Sequence, residues 1–105
     1  MIMRSPKIAL TSMVRRIDGV SVTNSGDGIF LIDARSGFLF RLNRTAQSVW
    51  ELLGEPMLVV QLCGRVAAAY GISEADSILD VSNLLALLLD AGLISVRAAP
   101  YESVE

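Results

Sequence analysis

The chain of 105 residues contains no histidine. That removes the imidazole ligands of most zinc sites and the base of a serine or cysteine triad. A single cysteine, Cys63, excludes an internal disulfide framework and reads as a compact hydrophobe buried in a helix. No glycine loop of the phosphate-cradling or dinucleotide kind is present, and Asp76 and Asp80, one helical turn apart, read as a solvated face rather than paired catalytic acids. The expectation is therefore no enzyme activity, no metal and no cofactor. No apolar run reaches the roughly 18 residues of a membrane span, since the richest segment, Leu84 to Ile94, is broken by Asp90. The opening MIMRSPKIALTSM is too short and too interrupted for a secretory signal. Together these absences point to a cytoplasmic protein with no membrane association.

Basic charge is scarce where a nucleic-acid binder needs it. Residues 1–50 hold seven basic and three acidic groups, whereas residues 51–105 hold two basic and eight acidic ones. With a pI near 5.0 no nucleic-acid partner is expected. Hydrophobic residues make up 52% of the chain, more than a single small core consumes, so apolar surface is expected to be kept for a partner.

Residues 1–18 show weak periodicity and one proline, which predicts an extended or partly disordered arm whose Ile8, Leu10, Met13, Val14 and Ile17 could add a strand or swap between copies. From Gly19 the alternation of Val20 and Val22 with Ser21 and Thr23 predicts a half-buried strand. Asn24 to Gly28 supply a turn, with glycine and asparagine taking up positive φ, and Ile29 to Asp33, apolar on both faces, reads as a central strand. A second turn over Ala34 to Gly37 leads to a third strand, Phe38 to Leu42.

Asn43 and Thr45 can each cap the helix that follows, which buries Ala46, Val49, Trp50 and Leu53 at i, i+3, i+4 and i+7. Gly54 and Pro56 end it, and a second helix is predicted from about Met57 to Tyr70. Ser73, with Asp76 three residues on, opens a third helix running to about Ala91. Its stripe of Ile78, Val81, Leu84, Leu85, Leu88 and Leu89 faces the core, leaving Leu79 and Leu87 outside. Gly92 stops it, Leu93 to Val96 form a short closing strand, and residues 97–105 read as a flexible tail. The predicted fold is α+β: a winged helix-turn-helix with an N-terminal three-stranded antiparallel meander followed by three helices, its domain spanning residues 19–96.

The third strand is last in the meander, so its outer edge offers unpaired N–H and C=O groups. Such an edge is either covered by the protein itself or a second copy, or open to an added peptide strand.

Asp33, Gly37, the aromatic strand, Leu42-Asn43, Thr45, Ala46, Trp50, Leu53, Asp80-Val81 and the closing Gly92-Leu93-Ile94 resemble, in order and spacing, the PqqD-like family of peptide-recognition domains. The resemblance spans about Gly19 to Val96. It implies a non-catalytic RiPP recognition element that captures the leader of a ribosomally made precursor peptide and delivers it to a modifying enzyme. A lasso-peptide leader protease and cyclase is the first expectation for that enzyme, and a radical SAM enzyme served by a PqqD-type chaperone the second. By position, the leader would add to Phe38, Leu39, Phe40, Arg41 and Leu42 and face Asp76, Asp80, Leu84 and Leu87 across the groove. Two features depart from the family. Phe38 to Phe40 lack its hydroxylated aromatics, which suits an apolar leader, and Met57 stands where a serine or threonine usually caps the second helix. The other readings are a winged-helix DNA regulator, which the absence of Lys and Arg from Ser73 to Ala91 disfavours, and a homodimerisation module.

Overall fold

The computed structural model describes residues 8–97. Strand β1 (Met13–Arg16) comes first, followed by the meander β2 (Val20–Asn24), β3 (Gly28–Asp33) and β4 (Leu39–Asn43). Helix α1 (Arg44–Leu52), the two-residue β5 (Met57–Leu58), α2 (Val59–Tyr70), α3 (Glu74–Asp90) and β6 (Ile94–Arg97) complete the order. This is the expected α+β, winged-helix-like architecture, with a second small sheet added to it.

The meander is antiparallel in the order β2-β3-β4, with β3 central as its two-sided apolar pattern requires. Its register puts Ile29 opposite Leu42 and Leu31 opposite Phe40, so these four share the inner face on which α1 lies. Of the turn glycines before β3, Gly26 takes the positive φ. Gly28 is needed for a different reason: a Cβ there would collide with the Leu42 carbonyl oxygen of the neighbouring strand.

The second sheet runs β5-β1-β6. The arm expected over residues 1–18 contributes β1, which pairs with β6 from Met13 opposite Arg97 to Arg16 opposite Ile94. Val14 is fully buried in the same core as Trp50, Leu62 and Leu85, upstream of the boundary expected at Gly19. One inward residue in a four-residue strand gives no periodicity to read, and both strand partners lie far away in sequence. The tail after Arg97 and the first seven residues lie outside the described residues.

The second helix begins two residues later than expected because Met57 and Leu58 are held extended against Val14 and Met13. Leu58, not Met57, occupies the cap position and offers no oxygen, but the Ser12 and Leu10 carbonyls accept from Val59 N–H and Val60 N–H, both at 2.9 Å. The arm thus supplies the acceptors that a serine or threonine cap would have provided. Leu58 N–H donates to Gln61 Oε1 at 3.2 Å.

Ser73 caps α3, accepting from Asp76 N–H at 3.1 Å. At its other end Gly92 (φ 77) donates to the Leu89 carbonyl and Leu93 to that of Leu88, a Schellman closure whose apolar contact is the buried Leu93 beside Leu88. Inside the bundle, the Ser77 hydroxyl donates to the Cys63 carbonyl at 2.6 Å and joins α3 to α2 where no water reaches.

Arg16 joins the two sheets through α1. Its Nε donates to the Trp50 carbonyl at 2.9 Å, its Nη2 to the same oxygen, and the guanidinium stands 4.7 Å from the centre of the Trp50 ring. Burial lowers the Arg16 pKa and the Glu51 carboxylate raises it, and the cation sits where the helix's carbonyl end favours positive charge. Arg16→Ala is expected to lower unfolding free energy by about 1–3 kcal/mol, read as a lower urea midpoint at unchanged slope.

Asp33 is buried at the β3–β4 turn. Its carboxylate accepts from the Arg35 backbone N–H at 3.0 Å, and the Arg35 side chain also reaches the Gly92 carbonyl at 3.1 Å, tying the turn to the end of α3. The Arg35 backbone N–H is the main reason the Asp33 pKa lies below its ordinary value, with burial opposing and the Arg35 and Ser36 side chains adding to it. Because the folded state prefers the ionised form, this contribution is complete above the ordinary carboxylate range and is lost as pH falls through the depressed folded value. Asp33→Asn is expected to be less stable than wild type at neutral pH and to show a shallower loss of stability on acidification, measured by urea titrations across the acid range.

Candidate functional site

Among the described residues β4 pairs only with β3, so its other edge is unpaired. Along β4, Phe40 and Leu42 turn inward, Leu42 to 6% exposure, while Leu39 at 58% and Arg41 turn outward. The Leu42 side chain is therefore core and its carbonyl faces Gly28 on β3, so the open backbone groups of the edge are those of Leu39 and Arg41. Phe38, expected as the first strand residue, lies just before β4; its carbonyl accepts from Asp33 N–H and its N–H donates to Ser36 Oγ. It stays exposed, edge-on to Phe40 with ring centres 6.4 Å apart. Arg41 pairs with Asp27 at 2.6 Å, a solvated bridge of small energetic weight.

The end of β4 opens directly into a cleft of about 370 Å³. Asn43, Thr45, Ala46 and Val49 form one wall, and Asp80, Val81, Leu84 and Leu87 of α3 the other. Tyr70 and Ile72 close the far end, where the Tyr70 and Ser48 hydroxyls share a hydrogen bond of 2.7 Å that links α2 to α1. The lining is mostly aliphatic with few polar groups, the composition of a side-chain-binding cleft.

Three of the four predicted α3 residues, Asp80, Leu84 and Leu87, line this cleft, while Asp76 does not. Asp76 sits in the first turn, where its N–H is taken by the Ser73 cap. It is one turn nearer the helix start than Asp80, which places it beyond the wall. Leu87, outside the core stripe, is 68% exposed at the rim. Thr45, Ala46, Tyr70 and Ile72 were missed as cleft residues. The aromatic ring and polar tip of Tyr70 at a helix end were the available signal, but nothing local reveals that α1 and α2 close around the tip of β4.

Asn43 belongs to both features. It is the last residue of β4 and the N-cap of α1, its Oδ1 accepting from Ala46 N–H at 2.9 Å.

No group of metal-binding side chains occurs among the described residues. Burial raises the pKa of the Cys63 thiol, the reverse of what a nucleophile needs. No helix among the described residues is long and apolar enough to cross a membrane.

An antiparallel meander whose β4 edge is unpaired among the described residues, running into a cleft walled by a long helix, defines a domain of the winged-helix-like α+β class. Residues 28–94, more than half of the chain, match the family described as coenzyme PQQ synthesis protein D (PqqD), and the chain belongs to that family. No curated protein matches it.

Three solved structures share the fold. TbiB1, solved in complex with the TbiA(beta) leader peptide, superposes at a TM-score of 0.70 with 21% identity over 77% of this chain and 94% of its own. A lasso peptide synthetase B1 complexed with the leader peptide gives 0.63 and 23% over 78% of this chain and 96% of its own. The PqqD truncation of Methylobacterium extorquens PqqCD, described as a functional and stand-alone RiPP recognition element, gives 0.67 and 20% over 79% and 88%.

Replacing Asn43 tests the junction. Asn43→Ala is expected to cost about 1 kcal/mol of stability while Asn43→Asp retains the cap, compared by thermal and urea unfolding.

Proposed function

We propose that this protein is a leader-peptide-binding adaptor that captures a precursor peptide as an added strand on β4 and delivers it to a modifying enzyme. The observation that carries the reading is the unpaired β4 edge leading into the aliphatic cleft beside α3. Within the stretch Phe38 to Leu42, the outward backbone groups of Leu39 and Arg41 give affinity, and alternate leader side chains enter the cleft and meet Leu84 and Leu87. Asp80 at the cleft and Arg41 on the outward face favour a leader with apolar residues and charges of both signs. Two of the structures of like fold are described with leader peptides bound, and the third as a recognition element, which supports the same role here.

For the enzyme served, a lasso-peptide leader protease and cyclase is the reading favoured by the neighbour described as a lasso peptide synthetase B1, and a radical SAM peptide-modifying enzyme served by a PqqD-type chaperone is the alternative reading. A DNA-reading role is disfavoured because α3, the helix that would enter a groove, carries no basic residue from Glu74 to Asp90.

Titration of the labelled protein with the leader encoded beside it is expected to shift the amides of Phe38 to Leu42 and to protect those of Leu39 and Arg41, which face the open edge. Leu87→Asp, at an exposed rim position that leaves the core intact, is expected to weaken binding at least about tenfold, equivalent to 1.4 kcal/mol. Unmoved β4 amides at saturating leader would sink the assignment.

A further inference from the structure

Among the residues that line the β4–α3 cleft, Asp80 alone carries a charge. Its carboxylate has no partner among the described residues, where the ion pairs are Asp33 with Arg35 and Asp27 with Arg41. The polar groups around it are engaged elsewhere: Asn43 Oδ1 accepts from Ala46 N–H, and the Tyr70 and Ser48 hydroxyls share a hydrogen bond. α3 carries no basic residue, and Arg44, in the first turn of α1, does not line the cleft.

Asp80 is exposed in the free protein, so water solvates the charge. A strand laid over the cleft takes that water away, and a carboxylate covered without a partner is unfavourable. The rest of the wall is aliphatic. Asp80, Leu84 and Leu87 stand at i, i+4 and i+7 on one face of α3. One turn, about 6 Å at 1.5 Å per residue, separates Asp80 from Leu84, a span that the stem of a lysine or arginine can cover. An apolar track that ends on an anion suits a side chain with an alkyl body and a cationic head.

We propose, resting on the reading that a leader adds to β4, that Asp80 is a specificity-determining residue. It takes the ammonium or guanidinium of one leader lysine or arginine whose stem lies along Leu84 and Leu87. A strand presents alternate side chains to one face, so that basic residue and an apolar one two places away both point into the cleft. A leader with an acidic residue at the same place is rejected, since two carboxylates would be brought together away from water. The selection is positional, because Asp76, one turn earlier on α3, lies outside the cleft.

Selection from a display library of random-sequence peptides on the full chain tests this, with binders defined as peptides that protect the Leu39 and Arg41 amides. Wild type is expected to enrich lysine or arginine at one fixed position, with an apolar residue two places away. Asp80→Lys, at an exposed site, is expected to stay folded by circular dichroism and to enrich aspartate or glutamate at that position. Asp76→Lys, an equal change of charge outside the cleft, is expected to keep the basic preference. Replacing the enriched basic residue by norleucine, which keeps the stem and drops the charge, is expected to weaken binding to wild type at least about tenfold and to leave binding to Asp80→Asn unchanged. Binders with no fixed basic residue, an uncharged residue enriched in its place, the same peptides selected by Asp80→Lys, or an equal inversion by Asp76→Lys would each overturn the proposal while strand addition stands. A library that yields no peptide protecting those amides would overturn strand addition and the proposal with it.

Discussion

Asn43 constrains the rest of the molecule more than any other position. It ends β4 and caps α1 through the Ala46 N–H, so no residue separates strand from helix. A chain that enters a helix at once cannot turn back to add a fourth strand beside the third, which leaves the β4 edge without a neighbour from the segment that follows. The same junction sets α1 across the inner face, where Val49, Trp50 and Leu53 bury against Ile29, Leu31 and Leu42. Burial of side chains this size is worth about 1.5–3 kcal/mol each, against about 1 kcal/mol for the cap. Packing therefore holds the helix in place, while the cap determines where it starts and, with it, where the edge and the cleft meet.

The second constraint is the return of the N-terminal arm. Its carbonyls at Leu10 and Ser12 complete the start of α2, its strand fills the gap between β5 and β6, and Arg16 reaches the Trp50 carbonyl. Trp50 Nε1 is buried without an acceptor among the described residues, a cost of about 1–3 kcal/mol. The cation over its ring and the near-complete burial of the indole oppose that cost. One cationic side chain thus serves the end of a helix and the face of a ring while joining the two sheets.

Most of this architecture was legible in the sequence because its signals are local. The span of β2, the two-sided apolar β3, the Ser73 cap and the Ile78 to Leu89 stripe each sit within one element and match the structure to within a residue or two. The half-burial expected of β2 does not hold, since Val22 stands exposed on an edge strand with nothing packed over it. The second sheet was not legible in the same way. β1, β5 and β6 hold four, two and four residues, and their pairing joins positions near 14, 57 and 96, so only tertiary packing selects it. The site divided along the same line. Asp80, Leu84 and Leu87 fall on one wall by helical spacing alone, whereas Tyr70 and Ile72 join the cleft because two helices meet there.

The apolar surplus of the sequence is distributed unevenly over the surface. Phe38 and Leu39 stand exposed at β4, and Leu87 at the mouth of the cleft, while Leu42 one turn of the pleat away is sealed in the core. Burial of the inner strand residues stabilises the edge as a rigid template. The exposed ones add nothing to folding and keep their transfer free energy available, at about 25 cal/mol per Å² once covered. A strand added to β4 would cover part of this surface, and its backbone would satisfy the edge's open N–H and C=O groups in the same event. Rigidity of the template and exposure of its rim therefore follow from one alternation along β4: Phe40 and Leu42 fasten the strand down, and Leu39 and Arg41 remain available to a partner.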